Sequence, residues 1–384
     1  YEAKTDGRVL AHVHNGNLSN GTAFGVTEFN GEPMDAAYAT QRARWEPIAE
    51  ITQIKGDGET HPKLSPEDEF ADFERWDKGN LDGSAPKEDW MFKYEYGRSA
   101  LETGLELEAS LGVNPYEMGF NGSSDAHTGL ASTGEENFFG KMASSEPSPN
   151  RFDGEVIRAV DPALRIVKSQ ESASGLTGVW ARQNTRDEVF DALTRKEIYA
   201  TTGTRIRVRL FAGWDFAPGD ELVPDFAALG YGKGVPMGGR LLAHPDGASP
   251  TFVVRALRDP DWANLDRVQI IKGWVGADGK AQERIYDVAV SDGRVIGADG
   301  RARDAVGNTV DIPSATFTNT IGAPMLAGYW KDPDFDPAER AFYYVRVLEI
   351  PTPRWTTYDA AHFGIELPKE VPPTLQDRAY TSAV

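Results

Sequence analysis

The sequence predicts an α/β protein with three parts: a portion of an α/β barrel over residues 1–204, a β-rich, sandwich-like module over residues 205–350, and a C-terminal segment, 351–384, that returns to the barrel. Short apolar runs at residues 7–11, 51–54 and 116–120 each lead straight into a polar cluster, with helical stretches in between. Strands that alternate with helices and carry polar residues at their ends are what an α/β barrel produces, because its site is built from loops at the C-terminal strand ends. About half of such a barrel is visible. After Tyr199 the texture changes to period-two runs separated by Gly, Pro and Asp turns, which is the pattern of a β-sandwich.

Taken in order, residues 7–11 read as a buried strand running into His12-Val13-His14, where Asn15-Gly16-Asn17 forms a turn that ends the strand and exposes the His14 imidazole. Residues 51–54 read as a second strand, followed by Lys55, Glu59 and His61. Residues 94–111 read as a helix with Leu101, Leu105 and Leu107 among good helix formers, closed by Gly112. The strand at 116–120 leads into Asn121-Gly-Ser-Ser-Asp125-Ala-His127, and residues 185–195 form a helix capped by Asn184 or Thr185, with Glu188 at capping-box distance. In the second half, residues 205–210, 251–256, 267–271 and 343–350 read as strands.

Composition limits the function. The 384 residues carry 40 Lys and Arg against 59 Asp and Glu, a formal charge of −19, which argues against a broad nucleic-acid footprint or an anionic membrane surface. A small anionic substrate stays compatible, because a bound divalent metal dominates its local field. With no cysteine in the sequence, thiolate nucleophiles, disulfides and Cys-based metal sites are excluded, so any metal is held by His and carboxylates. No apolar run is long enough to span a membrane. The first residue is Tyr, which fits processing or truncation upstream.

Asp125 and His127 stand two apart, so in extended backbone both side chains leave one face and converge on one ion. Imidazole and carboxylate donors together favour zinc, manganese or iron over calcium. The competing reading makes Asp125 a turn stabiliser and His127 a surface residue. His14 is a third candidate ligand, balanced against a His packed on the sheet, and His12 is the weaker member of its pair. Lys55, Glu59 and His61 combine a cation, a base and an imidazole within one loop that can clamp an anionic group or move a proton, or simply form a solvated turn. His244 and His362 read as surface or packing residues. Trp214, Trp274, Trp330 and Trp355 supply either core packing or a stacking surface for sugars. No nucleophile elbow and no phosphate-binding P-loop occurs in the sequence.

Several stretches resemble domain-of-unknown-function family 3604: His-Asn-Gly-Asn-Leu-Ser-Asn-Gly (14–21), Gln-Ile-Lys-Gly-Asp-Gly-Glu-Thr-His-Pro (53–62), Gly-Ser-Ser-Asp-Ala-His-Thr (122–128), Glu-Asn-Phe-Phe-Gly-Lys (136–141), Tyr-Ala-Thr-Thr-Gly (199–203), Glu-Ile-Pro-Thr-Pro-Arg-Trp (349–355) and Arg-Ala-Tyr-Thr-Ser (378–382). That family is similar to the polymerase-and-histidinol-phosphatase (PHP) superfamily of metal-dependent hydrolases. The resemblance implies the C-terminal part of a distorted PHP-like barrel, with two or three manganese, zinc or iron ions in the complete site. By position, His14 resembles the superfamily's late single histidine, and Asp125 with His127 its closing Asp-x-His. The early His-x-His lies outside this sequence, so a missing N-terminal half is an expected partner. The implied activity is hydrolysis of a phosphate ester, monoester preferred, by a periplasmic or secreted protein, otherwise a cytoplasmic one. Lys55, Glu59 and His61 would then serve catalysis beside the ligands His14, Asp125 and His127. A protein of another class, binding a carbohydrate or a partner on a PHP-like scaffold, is the alternative.

Overall fold

The computed structural model describes residues 1–242 and 247–384, so His244 lies outside the described residues. The first half holds a small sheet. Strand β1 (His12–Val13) precedes helix α1 (Ala36–Trp45), after which come β2 (Ile48–Gln53), the short return strand β3 (Gly56–Asp57), helix α2 (Gly97–Leu111) and β4 (Gly119–Gly122). β2 runs parallel to both β1 and β4, while β3 folds back antiparallel on the end of β2. The first strand therefore begins later than the apolar run at 7–11 suggests, and the third starts at Gly119 rather than 116. Gly112 ends α2 in the left-handed conformation at φ 76°, as its position in the sequence indicates.

The second half is dominated by antiparallel sheets. After β5 (Glu155–Ile157) and β6 (Ile166–Val167), which pair with each other, come β7 (Leu176–Val179), α3 (Arg186–Thr194) and β8 (Ile198–Thr201). Thr185 caps α3 by accepting from the Glu188 N–H at 3.4 Å. Then follow β9 (Arg207–Gly213), α4 (Phe226–Lys233), β10 (Gly234–Pro236), β11 (Thr251–Leu257), β12 (Leu265–Val275), β13 (Ala281–Val290), β14 (Met325–Lys331), β15 (Arg340–Glu349), β16 (Thr352–Pro353), α5 (Trp355–Phe363), β17 (Thr374–Leu375) and β18 (Arg378–Thr381). One four-stranded sheet has the order β10-β9-β11-β14 and a six-stranded sheet the order β13-β12-β15-β18-β8-β7. The larger sheet draws strands from residues before 204, between 205 and 350, and after 351.

Alternation along β15 explains the layering. Tyr343, Val345 and Val347 face a core shared with Leu210, Phe252, Val254 and Leu326 of the four-stranded sheet, which makes a sandwich. Phe342 and Tyr344 face the other way, onto Ile51, Leu101, Leu105 and Phe120 of β2, α2 and β4. A strand covered on both faces reads as a continuous apolar run, as this one does. The fold is thus mixed α/β with several sheets and a β-rich second half, and no sheet closes into a barrel among the described residues. A buried ionic network crosses the same layer: Arg98 of α2 bonds Glu59 at 2.6 Å and Asp68 at 2.8 Å, and Arg346 of β15 bonds Asp68 at 2.7 Å. No helix among the described residues is long and apolar enough to cross a membrane.

Candidate functional site

The C-terminal ends of the parallel strands β1, β2 and β4 release His14, Lys55 and Asp125 side by side. β1 stops at Val13, Asn15 takes φ 57°, and a 3-10 turn over Gly16–Leu18 carries the chain away, leaving the His14 side chain 41% exposed. His14 Nδ1 lies 3.0 Å from both carboxylate oxygens of Glu50, a buried residue of β2. A carboxylate accepts only, so Nδ1 carries a proton, and in the neutral ring the lone pair is on Nε2. Burial pushes the Glu50 carboxyl up, yet the hydrogen bonds from His14 and Ser123 outweigh it and hold the group below its usual range.

β4 ends at Gly122, where a Cβ would lie 2.3 Å from Thr52 Oγ1 and 2.7 Å from the Leu176 carbonyl oxygen, so glycine is what lets the strand approach its neighbours. Asp125 follows at φ 47°, a left-handed conformation that Asp tolerates better than most residues. Asp125 and His127 therefore do not meet as alternate residues of an extended strand. A turn brings them together, with Asp125 Oδ1 3.1 Å from His127 Nε2.

Two ammonium groups close on that pair. Lys55 contacts the Asp125 carboxylate directly, and Lys141 Nζ sits 2.5 Å from Asp125 Oδ2, 3.0 Å from the Asp125 carbonyl oxygen and 3.1 Å from His127 Nε2. His127 Nε2 thus lies 3.1 Å from both an acceptor-only oxygen, Asp125 Oδ1, and a donor-only nitrogen, Lys141 Nζ, and the tautomer decides which of the two it bonds. Lys141, then burial and Lys55, lower the His127 pKa, which favours the neutral ring. Burial and the neighbouring Lys141 pull Lys55 below the ordinary lysine range against the opposing charge of Glu50, and burial does the same to Lys141 against Lys55, Glu171 and Glu50.

Glu59 and His61 lie elsewhere. The Glu59 carboxylate is 1% exposed and bonded to Arg98 and Tyr344, whereas His61 packs on Phe92 and Tyr96 with Nε2 3.0 Å from Asp77. Among the described residues, no hydrogen bond or ion pair joins either to Asp125. His362 is exposed on α5. Trp355 is wholly buried and Trp330 packs on the sandwich core, so these two indoles serve packing rather than a sugar surface. The sequence reading missed Glu50, Ser123 and Lys141. Glu50 signals itself only as a charge inside a strand-like run, and Lys141 only as the end of the 136–141 motif.

Among the described residues, no group of three or more His, Asp and Glu side chains is arranged to hold a metal ion. What is present is two nitrogen–oxygen pairs, Asp125 with His127 and His14 with Glu50. At the first pair a cation is already seated: Asp125 Oδ2 accepts from the Lys141 ammonium, and His127 Nε2 lies 3.1 Å from it. The second presents the arrangement of a metal-binding imidazole, with Nδ1 fixed by a carboxylate and Nε2 available. Close by, the buried Asn121 Oδ1 has no hydrogen-bond partner among the described residues.

The family model described as "Protein of unknown function (DUF3604)" matches residues 1–384. No curated protein and no solved structure matches the chain.

Proposed function

The chain belongs to the DUF3604 family, and from that premise we propose that it is a metal-dependent hydrolase acting on a small anionic ester, a phosphomonoester first. The observation that carries this reading is the Lys141 ammonium seated against Asp125 and His127, beside a His14 whose Nδ1 is fixed by Glu50. In this reading β1, β2 and β4 are the C-terminal part of a distorted PHP-like barrel, whose site forms at the strand ends. His14, Asp125 and His127 hold manganese, zinc or iron. Bound metal supplies a nucleophile at neutral pH and stabilises the charge that develops on the ester oxygens. Glu50 orients His14, and Ser123 holds Glu50. Lys55, released from Asp125, binds the anionic group of the substrate and offsets the repulsion expected from a chain of charge −19. Glu59 and His61 hold the surrounding structure in place.

Elemental analysis of the purified protein, followed by a phosphate-ester screen with and without a chelator, tests the reading. Bound manganese, zinc or iron with chelator-sensitive phosphate release is expected. A protein that takes up no divalent metal, or that releases phosphate at the same rate after chelation, would overturn it.

A further inference from the structure

A basic groove lies on the outer face of the four-stranded sheet, in a chain whose formal charge is −19. Val208 and Leu210 of β9 point into the sandwich core, so the alternate residues Arg207 and Arg209 take the opposite face. Arg255 of β11 stands directly opposite Arg209 in the antiparallel register and shares that face. Like charges placed opposite one another weaken a sheet, so the pair needs a reason. Farther along, Phe226 of α4 covers Phe211 and Val253, while Trp180 closes the near side of β9 by donating Nε1 to the Val208 carbonyl at 3.0 Å. The groove left between them has a volume of about 230 Å3.

Aromatic rings hold the three guanidinium groups, which are left short of acidic partners. Arg209 lies 4.3 Å from the Trp180 ring and bonds Tyr231 at 2.8 Å and Glu197 at 3.4 Å, but its buried Nε has no partner among the described residues. Arg255 lies 4.5 Å from the Phe226 ring and donates only to main-chain oxygens, those of Glu221 and Val223. Arg207 is exposed and makes no hydrogen bond or ion pair among the described residues. Asp225 is the only acid among the described lining residues, and its Oδ1 is taken up in capping α4, accepting from the Ala228 N–H at 3.3 Å. Acids outnumber Lys and Arg 59 to 40 in the chain, so scarcity does not explain arginines left without carboxylates. A concave, partly apolar place with several unspent cationic donors is suited to an anion.

We propose that this groove binds a tetrahedral oxyanion, the phosphate or sulfate group of a small ester. The guanidinium fork matches such groups and forms charge-assisted bonds to them. A single fork satisfies a planar carboxylate, whereas donors arriving from two strands reach different oxygens of a tetrahedral group. Trp180, Phe226 and Leu257 leave an apolar wall for the organic part. No lining residue belongs to the strand-end cluster of His14, Lys55 and Asp125, so the groove stands whether or not that cluster holds a metal.

Calorimetric titration of the full chain at low ionic strength, where exposed charges are least screened, tests this with inorganic phosphate, inorganic sulfate and acetate as the probes. Wild type, Arg207→Gln and Arg255→Gln are compared, with thermal melts confirming that each is folded. Phosphate or sulfate is expected to bind saturably and more tightly than acetate, and the tighter of the two names the ester. Each substitution is expected to weaken that oxyanion about tenfold, the size of one lost hydrogen bond to a charged group. Arg207 makes no bond in the fold, so its variant carries the test if Arg255→Gln does not fold. No saturable oxyanion binding by wild type, acetate bound as tightly, or an affinity unchanged in the folded variants would overturn the proposal. The last result is also the one expected if the oxyanion sits at Lys55 instead.

Discussion

A single proton decides what His14 can do. With Nδ1 held 3.0 Å from both Glu50 oxygens, the neutral ring is confined to the tautomer whose lone pair is on Nε2. Glu50→Gln replaces an obligate acceptor by a group that can also donate, so the imidazole is no longer fixed. We expect Mn2+ affinity to fall 10- to 100-fold, the usual cost of losing such an orienting carboxylate, while the melting temperature changes little. An unchanged affinity in the same titration would show that His14 does not ligate. Asp68 makes the contrasting case, being buried between two guanidinium groups, Arg98 and Arg346, that hold its carboxyl far below the usual range against the opposing effect of burial. Asp68→Asn leaves both cations underpaired and is expected to cost about 3–5 kcal/mol in denaturant unfolding. A loss under about 1 kcal/mol would show that the arginines find other partners.

Elements matter because the site exists only where strand ends are brought level. Gly122 is the closest approach between β4, Thr52 of β2 and the Leu176 carbonyl, and the Leu176 backbone cannot step aside as a flexible side chain would. Gly122→Ala should therefore push β4 from its neighbours at a cost of about 1–3 kcal/mol and displace Asp125. The expected result is a lower denaturant midpoint together with lost Mn2+ binding. Retention of full affinity would mean that the turn at Asp125 adjusts independently of β4. The sequence made this region legible in part. Polar residues after apolar runs located His14, Lys55 and Asp125, because a strand end must turn and turns have a recognisable chemistry. It did not reveal Glu50, since period-two reasoning assigns a charge in a strand to solvent, whereas here both faces of β2 are covered. Nor did it separate Glu59 and His61 from Lys55: they are neighbours in sequence, but the β3 turn sends them into the Arg98 and Asp77 networks. Strand boundaries slipped by several residues at 7–11, where Val9 and Ala11 are exposed rather than buried and join no ladder, and at 116–120, where Tyr116 and Met118 are buried ahead of the ladder.

Across the whole molecule the layers bury several acids whose pKa rises. Burial, reinforced by Glu59 at Asp57 and by Glu283 at Glu102, lifts both carboxyls to about 7, and burial outweighs the nearby donors and cations to lift Glu171 and Asp377 to about 7 as well. Each is protonated in the folded chain at a pH where the unfolded chain has already ionised. Between the unfolded carboxylate range and about 7 the native state binds more protons, so its stability falls as pH rises through that window. Carboxylates with lowered pKa, such as Asp68, lose their contribution only at lower pH, and the buried lysines act in the opposite sense above about 7. A comparison of pH 5.5 with pH 7 therefore reads the buried acids against the smaller opposing contribution of His127, whose pKa is lowered. The melting temperature of the metal-free protein should be higher at pH 5.5 by roughly 5 °C, a few kcal/mol for a chain of this size. A melting temperature that is flat or rises over the window would mean that these carboxylates are compensated in solution by cations.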